Sequence, residues 1–127
     1  MNKTEQYLEK LCEFYAPSGM ESGIAEYIKS VIEPYCKECY IDNLGNVIAF
    51  KEGKSPAKKR VQLDAHTDEV GFIITAINSD GSLSIATVGG INCESIISKR
   101  VIFGSTVGVV QTKPVHLLKS SEKGKLP

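Results

Sequence analysis

The residues best suited to chemistry lie together in the segment Asp64-Ala65-His66-Thr67-Asp68-Glu69. A neutral imidazole can bind a metal ion through one ring nitrogen, and a carboxylate that accepts the other N–H fixes the tautomer. If the segment is extended, the two-residue period of a strand places Asp64, His66 and Asp68 on one face. The spacing favours either a metal ligand with its orienting acid or, more commonly, a histidine with only a structural role.

Two amphipathic helices are predicted before this segment. The first ends at Pro17, because the residue before a proline avoids helical angles, and its apolar face consists of Leu8, Leu11, Cys12 and Tyr15. Ser18-Gly19-Met20-Glu21 has the form of a capping box and predicts the start of the second helix. That helix ends at Pro34, and its inward face consists of Ile24, Ala25, Ile28, Val31 and Ile32.

From about residue 40 the pattern changes to short apolar runs separated by turns, which is typical of strands. Residues 61–65 are predicted to form a strand that ends at His66. Turns are predicted at residues 42–46 and 78–81, because Asp-Gly and similar pairs suit tight reversals, and a short helical turn at residues 92–97. The other predicted strands are residues 40–41, 47–50, 72–77, 83–88, 101–103 and 107–110.

The composition indicates a globular protein. The chain has 127 residues, of which 42% are hydrophobic and 24% are charged, and this argues against disorder. Its 15 Lys and Arg balance 15 Asp and Glu, so we expect no nucleic acid partner. The sequence has no apolar run of membrane-spanning length and no signal-peptide core at its start. We therefore expect no membrane partner, a cytoplasmic location and reduced cysteines.

Other reactive motifs give weaker signals. Cys36-Lys37-Glu38-Cys39 is a single C-x-x-C motif, whereas a structural zinc site needs four ligands. The motif follows a predicted helix and leads into a strand, which is the reverse of the usual order in a redox pair. No Ser or Cys nucleophile motif and no glycosidase-like carboxylate pair is present.

The segment His66-Thr67-Asp68-Glu69-Val70-Gly71-Phe72 resembles the His-x-Asp-Glu-Val-Gly-Phe signature of the glutamyl-aminopeptidase family. Members of this family are dinuclear metallopeptidases, and they are also known as tetrahedral aminopeptidases or endoglucanases. Other segments resemble family motifs in the same chain order, namely Ser18-Gly19-Met20-Glu21, Asp42-Asn43-Leu44-Gly45-Asn46, Val88-Gly89-Gly90 and Lys113-Pro114-Val115-His116-Leu117-Leu118. The resemblance therefore covers nearly the whole chain.

The resemblance implies an α/β fold in two parts. Residues 1–73 would form the N-terminal portion of a zinc-peptidase-like catalytic domain, and residues 74–127 part of a β-rich, barrel-like inserted domain that mediates dimer contacts. His66 would bind one of two divalent metal ions, zinc or cobalt, and Asp68 would orient His66. The implied reaction is the removal of N-terminal residues from peptides by a metal-activated water, and a homo-oligomer is expected.

The chain departs from the family pattern in its ligands. The remaining metal ligands and the general-base Glu of the family occur later in the sequence than any position present here. His116 matches the inserted domain, where a structural role is expected. We therefore expect the isolated chain to bind zinc weakly and to be inactive. The alternative is a truncated, non-catalytic relative that acts as an oligomerisation or interaction module.

Overall fold

The computed structural model describes residues 1–55 and 59–112, and the motif that contains His116 lies outside them. The fold mixes helices and strands, as predicted. The chain divides into two compact units, Met1–Gly89 and Gly90–Pro127.

The first helix, α1, spans Lys3–Cys12 and is shorter than predicted. It begins with a capping box that lies outside the predicted motifs: the side chain of Asn2 accepts from the Glu5 N–H, and the Glu5 carboxylate accepts from the Asn2 N–H. Because the helix ends at Cys12, the predicted apolar face does not extend to Tyr15, whose side chain is exposed.

The second helix, α2, spans Ser22–Ile32, and one 3-10 turn with Pro34 in its first positions follows it at Glu33–Tyr35. Ile24 and Ala25 are buried, as the apolar pattern predicts. The predicted capping box at Ser18 is wrong. The N-cap position is Glu21, whose carboxylate accepts from the N–H of Gly19 over 2.7 Å, and the Ser18 hydroxyl has a different partner, described below.

The strands of the described residues form three antiparallel hairpins, and the first two of them reverse at the predicted turns. The first unit holds two of them, β1 (Glu38–Ile41) with β2 (Val47–Phe50) and β3 (Gly71–Ile77) with β4 (Leu83–Val88). The second unit holds the one-turn helix α3 (Cys93–Ile96) and the hairpin of β5 (Arg100–Phe103) with β6 (Thr106–Val109).

The strand predicted for residues 61–65 is not formed, and this prediction is wrong for the chain. The side chains of Val61 and Leu63 are 86% and 92% exposed. A strand needs a neighbour that takes up its N–H and C=O groups, and none of the described strands pairs with these residues. The alternating apolar pattern is therefore present without the sheet that would stabilise it.

The core of the described residues is small. Its buried hydrophobic side chains are Ala16, Ile24 and Ala25, and they belong to α2 and to the segment just before it. No described helix has the length and apolar character needed to cross a bilayer.

Candidate metal-binding site

His66 and Asp68 contact each other, as the sequence predicts. The Nδ1 atom of His66 lies 3.1 Å from Oδ1 of Asp68 and 3.0 Å from the main-chain oxygen of the same residue. Both partners are acceptors, so the neutral ring carries its proton on Nδ1. The imidazole is 86% exposed, and its Nε2 atom makes no hydrogen bond with the described residues. This arrangement leaves Nε2 free to bind a metal ion.

Asp68 is held on its other side by Ser18. The Ser18 hydroxyl donates to Oδ2 of Asp68 over 2.6 Å, across 50 residues of sequence. This hydrogen bond is the main cause of a lowered pKa of Asp68, and the hydrogen bond from His66 adds to it. Asp68 is therefore ionised at neutral pH and accepts the N–H of the imidazole. No local sequence signal predicts this contact, because the motif that contains Ser18 has the form of a capping box and predicts a helix cap instead.

A pair of hydrogen bonds between Ala16 and Glu69 brings these segments together; we call it the clasp. The N–H of Glu69 donates to the Ala16 carbonyl over 2.8 Å, and the N–H of Ala16 donates to Oε1 of Glu69 over 3.1 Å. Pro17 and Glu69 form an isolated parallel bridge at the same place. Gly71 leaves room for this approach, because a Cβ added there would lie 2.9 Å from Cβ of Pro17.

His66 and Asp68 line a groove beside the start of α2 and the β1–β2 turn, together with Glu21, Asn43 and Asp64. Asp64, which the sequence predicts on the same face as His66 and Asp68, lines the same groove but makes no hydrogen bond to either of them among the described residues. Asp64 accepts instead from the side-chain amide of Gln62 over 2.9 Å. The structure thus brings together His66 and Asp68, but it does not add Asp64 to their hydrogen bonds.

The described residues do not fit a complete two-metal centre. No group of three or more His, Cys, Asp or Glu side chains within residues 1–55 and 59–112 is arranged to hold a metal ion. They fit one part of such a centre, namely a single histidine ligand with its orienting carboxylate. The arrangement can therefore position one ligand, and it does not by itself supply the chemistry of hydrolysis.

The C-x-x-C pair is separate from this site. Cys36 and Cys39 are free and half-buried. Burial raises the pKa of the Cys39 thiol, and the neighbouring Cys36 adds to this effect. A raised pKa lowers the fraction of reactive thiolate at neutral pH, so the Cys39 sulfur is not activated as a nucleophile.

Comparison with known proteins agrees with the resemblance found in the sequence. The family described as M42 glutamyl aminopeptidase matches residues 45–127. The lysyl aminopeptidase of Pyrococcus furiosus is 32% identical over 122 residues, which is 92% of this chain and 34% of that protein. The glutamyl aminopeptidase of Lactococcus lactis is 29% identical over 119 residues, or 90% of this chain and 34% of that protein.

Solved structures show the same relationship. The TET aminopeptidase from the marine sediment archaeon Thaumarchaeota archaeon SCGC AB-539-E09 is 32% identical with a TM-score of 0.83, covering 99% of this chain and 36% of that one. An endoglucanase from Thermotoga maritima is 37% identical with a TM-score of 0.75, and the match covers 85% of this chain and 34% of that one. This chain spans about a third of the length of these relatives. It belongs to the M42 glutamyl aminopeptidase family.

Proposed function

We propose that the chain is the N-terminal portion of a metal-dependent aminopeptidase, which removes N-terminal residues from peptides. One observation carries this proposal: in a member of an aminopeptidase family, His66 has a free Nε2 and an Nδ1 held by an ionised carboxylate. Residues 1–73 would belong to the catalytic domain and residues 74–127 to a β-rich, barrel-like inserted domain. The proposed location is the cytoplasm, where the four free cysteines would stay reduced.

In this proposal His66 binds one of two divalent metal ions, zinc or cobalt, through Nε2, and Asp68 is the acid that orients it. The carboxylate holds the ring in one tautomer and makes Nε2 more basic. When bound, such metal ions lower the pKa of a water molecule and polarise the scissile carbonyl. The chain's own contribution is the position and protonation state of this one ligand.

A direct test exchanges the matched segment of a relative. Residues 1–127 would replace the matching segment of the Pyrococcus furiosus lysyl aminopeptidase, and the chimera would be assayed with aminoacyl chromogenic substrates and cobalt or zinc. We expect activity in the chimera and its loss in His66→Ala, while His116→Ala serves as the matched control. A folded, active chimera that is unaffected by His66→Ala would contradict the assigned role of His66.

The isolated chain is proposed to be inactive, because a single histidine cannot hold two metal ions. In the same assay the 127-residue chain should give no turnover, with the intact Pyrococcus furiosus enzyme as positive control. Turnover by the isolated chain that disappears in His66→Ala would overturn this part of the proposal.

A second candidate function is an oligomerisation module. Apolar side chains are exposed on the β3–β4 hairpin, where Ile73 is 57% and Ile77 is 77% exposed. The solved structure of PhTET1-12s, which is 31% identical with a TM-score of 0.69, is described as a dodecamer. Light scattering tests this candidate: a dimer or larger species is expected, and a monomer at high concentration would contradict it.

A further inference from the structure

The shortest hydrogen bond around His66 is the contact from Oγ of Ser18 to Oδ2 of Asp68, at 2.6 Å. The other carboxylate oxygen, Oδ1, lies 3.1 Å from Nδ1 of His66. Each carboxylate oxygen thus has its own side-chain partner. Turning the carboxylate about its Cβ–Cγ bond would weaken both contacts together, so the orientation seen by the imidazole depends on Ser18.

The clasp already holds the two main-chain segments together without Ser18. Its hydrogen bonds join Ala16 to Glu69, and neither involves a group that hydrogen-bonds to His66. The clasp places Pro17 beside Glu69, and this delivers the next residue, Ser18, to Asp68. The serine hydroxyl therefore acts on the carboxylate rather than on the path of the chain.

We propose that Ser18 is a positioning residue, whose hydroxyl holds the Asp68 carboxylate so that the proton stays on Nδ1 of His66 and Nε2 remains free. This inference rests on the proposed function, because it concerns His66 as a ligand. The main-chain oxygen of Asp68 also lies 3.0 Å from Nδ1. Loss of the hydroxyl therefore weakens the tautomer preference without reversing it.

The test compares Ser18→Ala, Ser18→Thr and Ser18→Val in the 127-residue chain. Thr and Val have the same shape and differ by the hydroxyl, and Ser18 is exposed, so a branched side chain has room. The His66 tautomer is measured from ¹H–¹⁵N correlations of the ring at a pH of about 8. His116→Ala assigns the second histidine. The Asp68 rotamer is measured from three-bond couplings in the same samples.

We expect Ser18→Ala and Ser18→Val to lower the ratio of the Nδ1–H to the Nε2–H tautomer about two- to five-fold, the effect of one hydrogen bond, and to average the Asp68 rotamer. Ser18→Thr should keep the wild-type tautomer ratio and the single Asp68 rotamer. An unchanged tautomer in the Ala and Val variants, or a Thr variant that behaves like Val, would overturn the inference. If Ser18→Ala unfolds the chain, the Thr and Val pair decides.

A different result would contradict the proposed function. That result is a His66 ring whose resonances stay unchanged when zinc is added to the wild-type chain, whatever effect the Ser18 variants have on the tautomer. Zinc binding through His66 combined with no effect of Ser18 would reject the role of Ser18 alone.

Discussion

Ala16 and Glu69 hydrogen-bond to each other twice across 53 residues of sequence. The Glu69 N–H donates to the Ala16 carbonyl, and the Glu69 side chain accepts from the Ala16 N–H. This reciprocal pairing places the residues before α2 beside the segment that carries His66. The position of the proposed metal ligand therefore depends on a segment distant in sequence as much as on its own neighbours.

The clasp should be sensitive to volume at Gly71. In Gly71→Ala the new Cβ would lie 2.9 Å from Cβ of Pro17, so the two segments must move apart. We expect the free energy of unfolding to fall by about 1–3 kcal/mol, as for other overpacked sites, measured by urea denaturation. Gly90→Ala is the matched control, because a Cβ there meets no atom within 4 Å. Equal stability of both variants would show that the close approach at Gly71 is not required.

The small core predicts a strong dependence on Ile24. This side chain is only 7% exposed and lies in a core with two alanines. Ile24→Ala should lower the free energy of unfolding by about 2 kcal/mol or more, through lost burial and the cavity left behind. Leu44, which is 89% exposed, gives the control: Leu44→Ala should change stability by about 0.5 kcal/mol or less. Similar losses in both variants would contradict the described core.

Features that depend on near neighbours in the sequence were predicted well. The apolar spacing of Ile24 and Ala25 identified the buried face of α2. The turns of the β1–β2 and β3–β4 hairpins were predicted because residues such as Asp42 and Gly81 stabilise a reversal from within the turn. The contact between His66 and Asp68 likewise spans two residues.

Features that depend on distant partners were not predicted. The local pattern predicts that the Ser18 hydroxyl caps a helix, but the hydroxyl donates its hydrogen bond to Asp68, 50 residues away. Residues 61–65 alternate like a strand, yet their exposed Val61 and Leu63 have no neighbouring strand among the described residues. The local pattern predicts which secondary structure a segment prefers, whereas a partner distant in sequence determines whether that structure forms.

The β1–β2 turn should give stability that depends on acid pH. The pKa of Asp42 lies below its ordinary value of 3.8, chiefly because the Asn46 side chain donates to its carboxylate over 2.9 Å. A lowered folded-state pKa stabilises the fold above the unfolded-state pKa, and this stabilisation is lost as the pH falls through the folded-state pKa. Thermal melts between pH about 7 and about 2.5 should therefore show an advantage of wild type over Asp42→Asn that shrinks toward acid pH. A constant advantage would contradict the role of the charge.

The most direct test of the central claim is a zinc titration of the 127-residue chain followed through the ring nitrogens of His66. We predict that zinc shifts the Nε2 resonance while Nδ1 keeps its proton, that binding is weak, and that His66→Ala removes it whereas His116→Ala does not. Zinc binding that is equally strong in His66→Ala, or a His66 ring that does not respond to zinc, would contradict the assignment of His66 as the metal ligand.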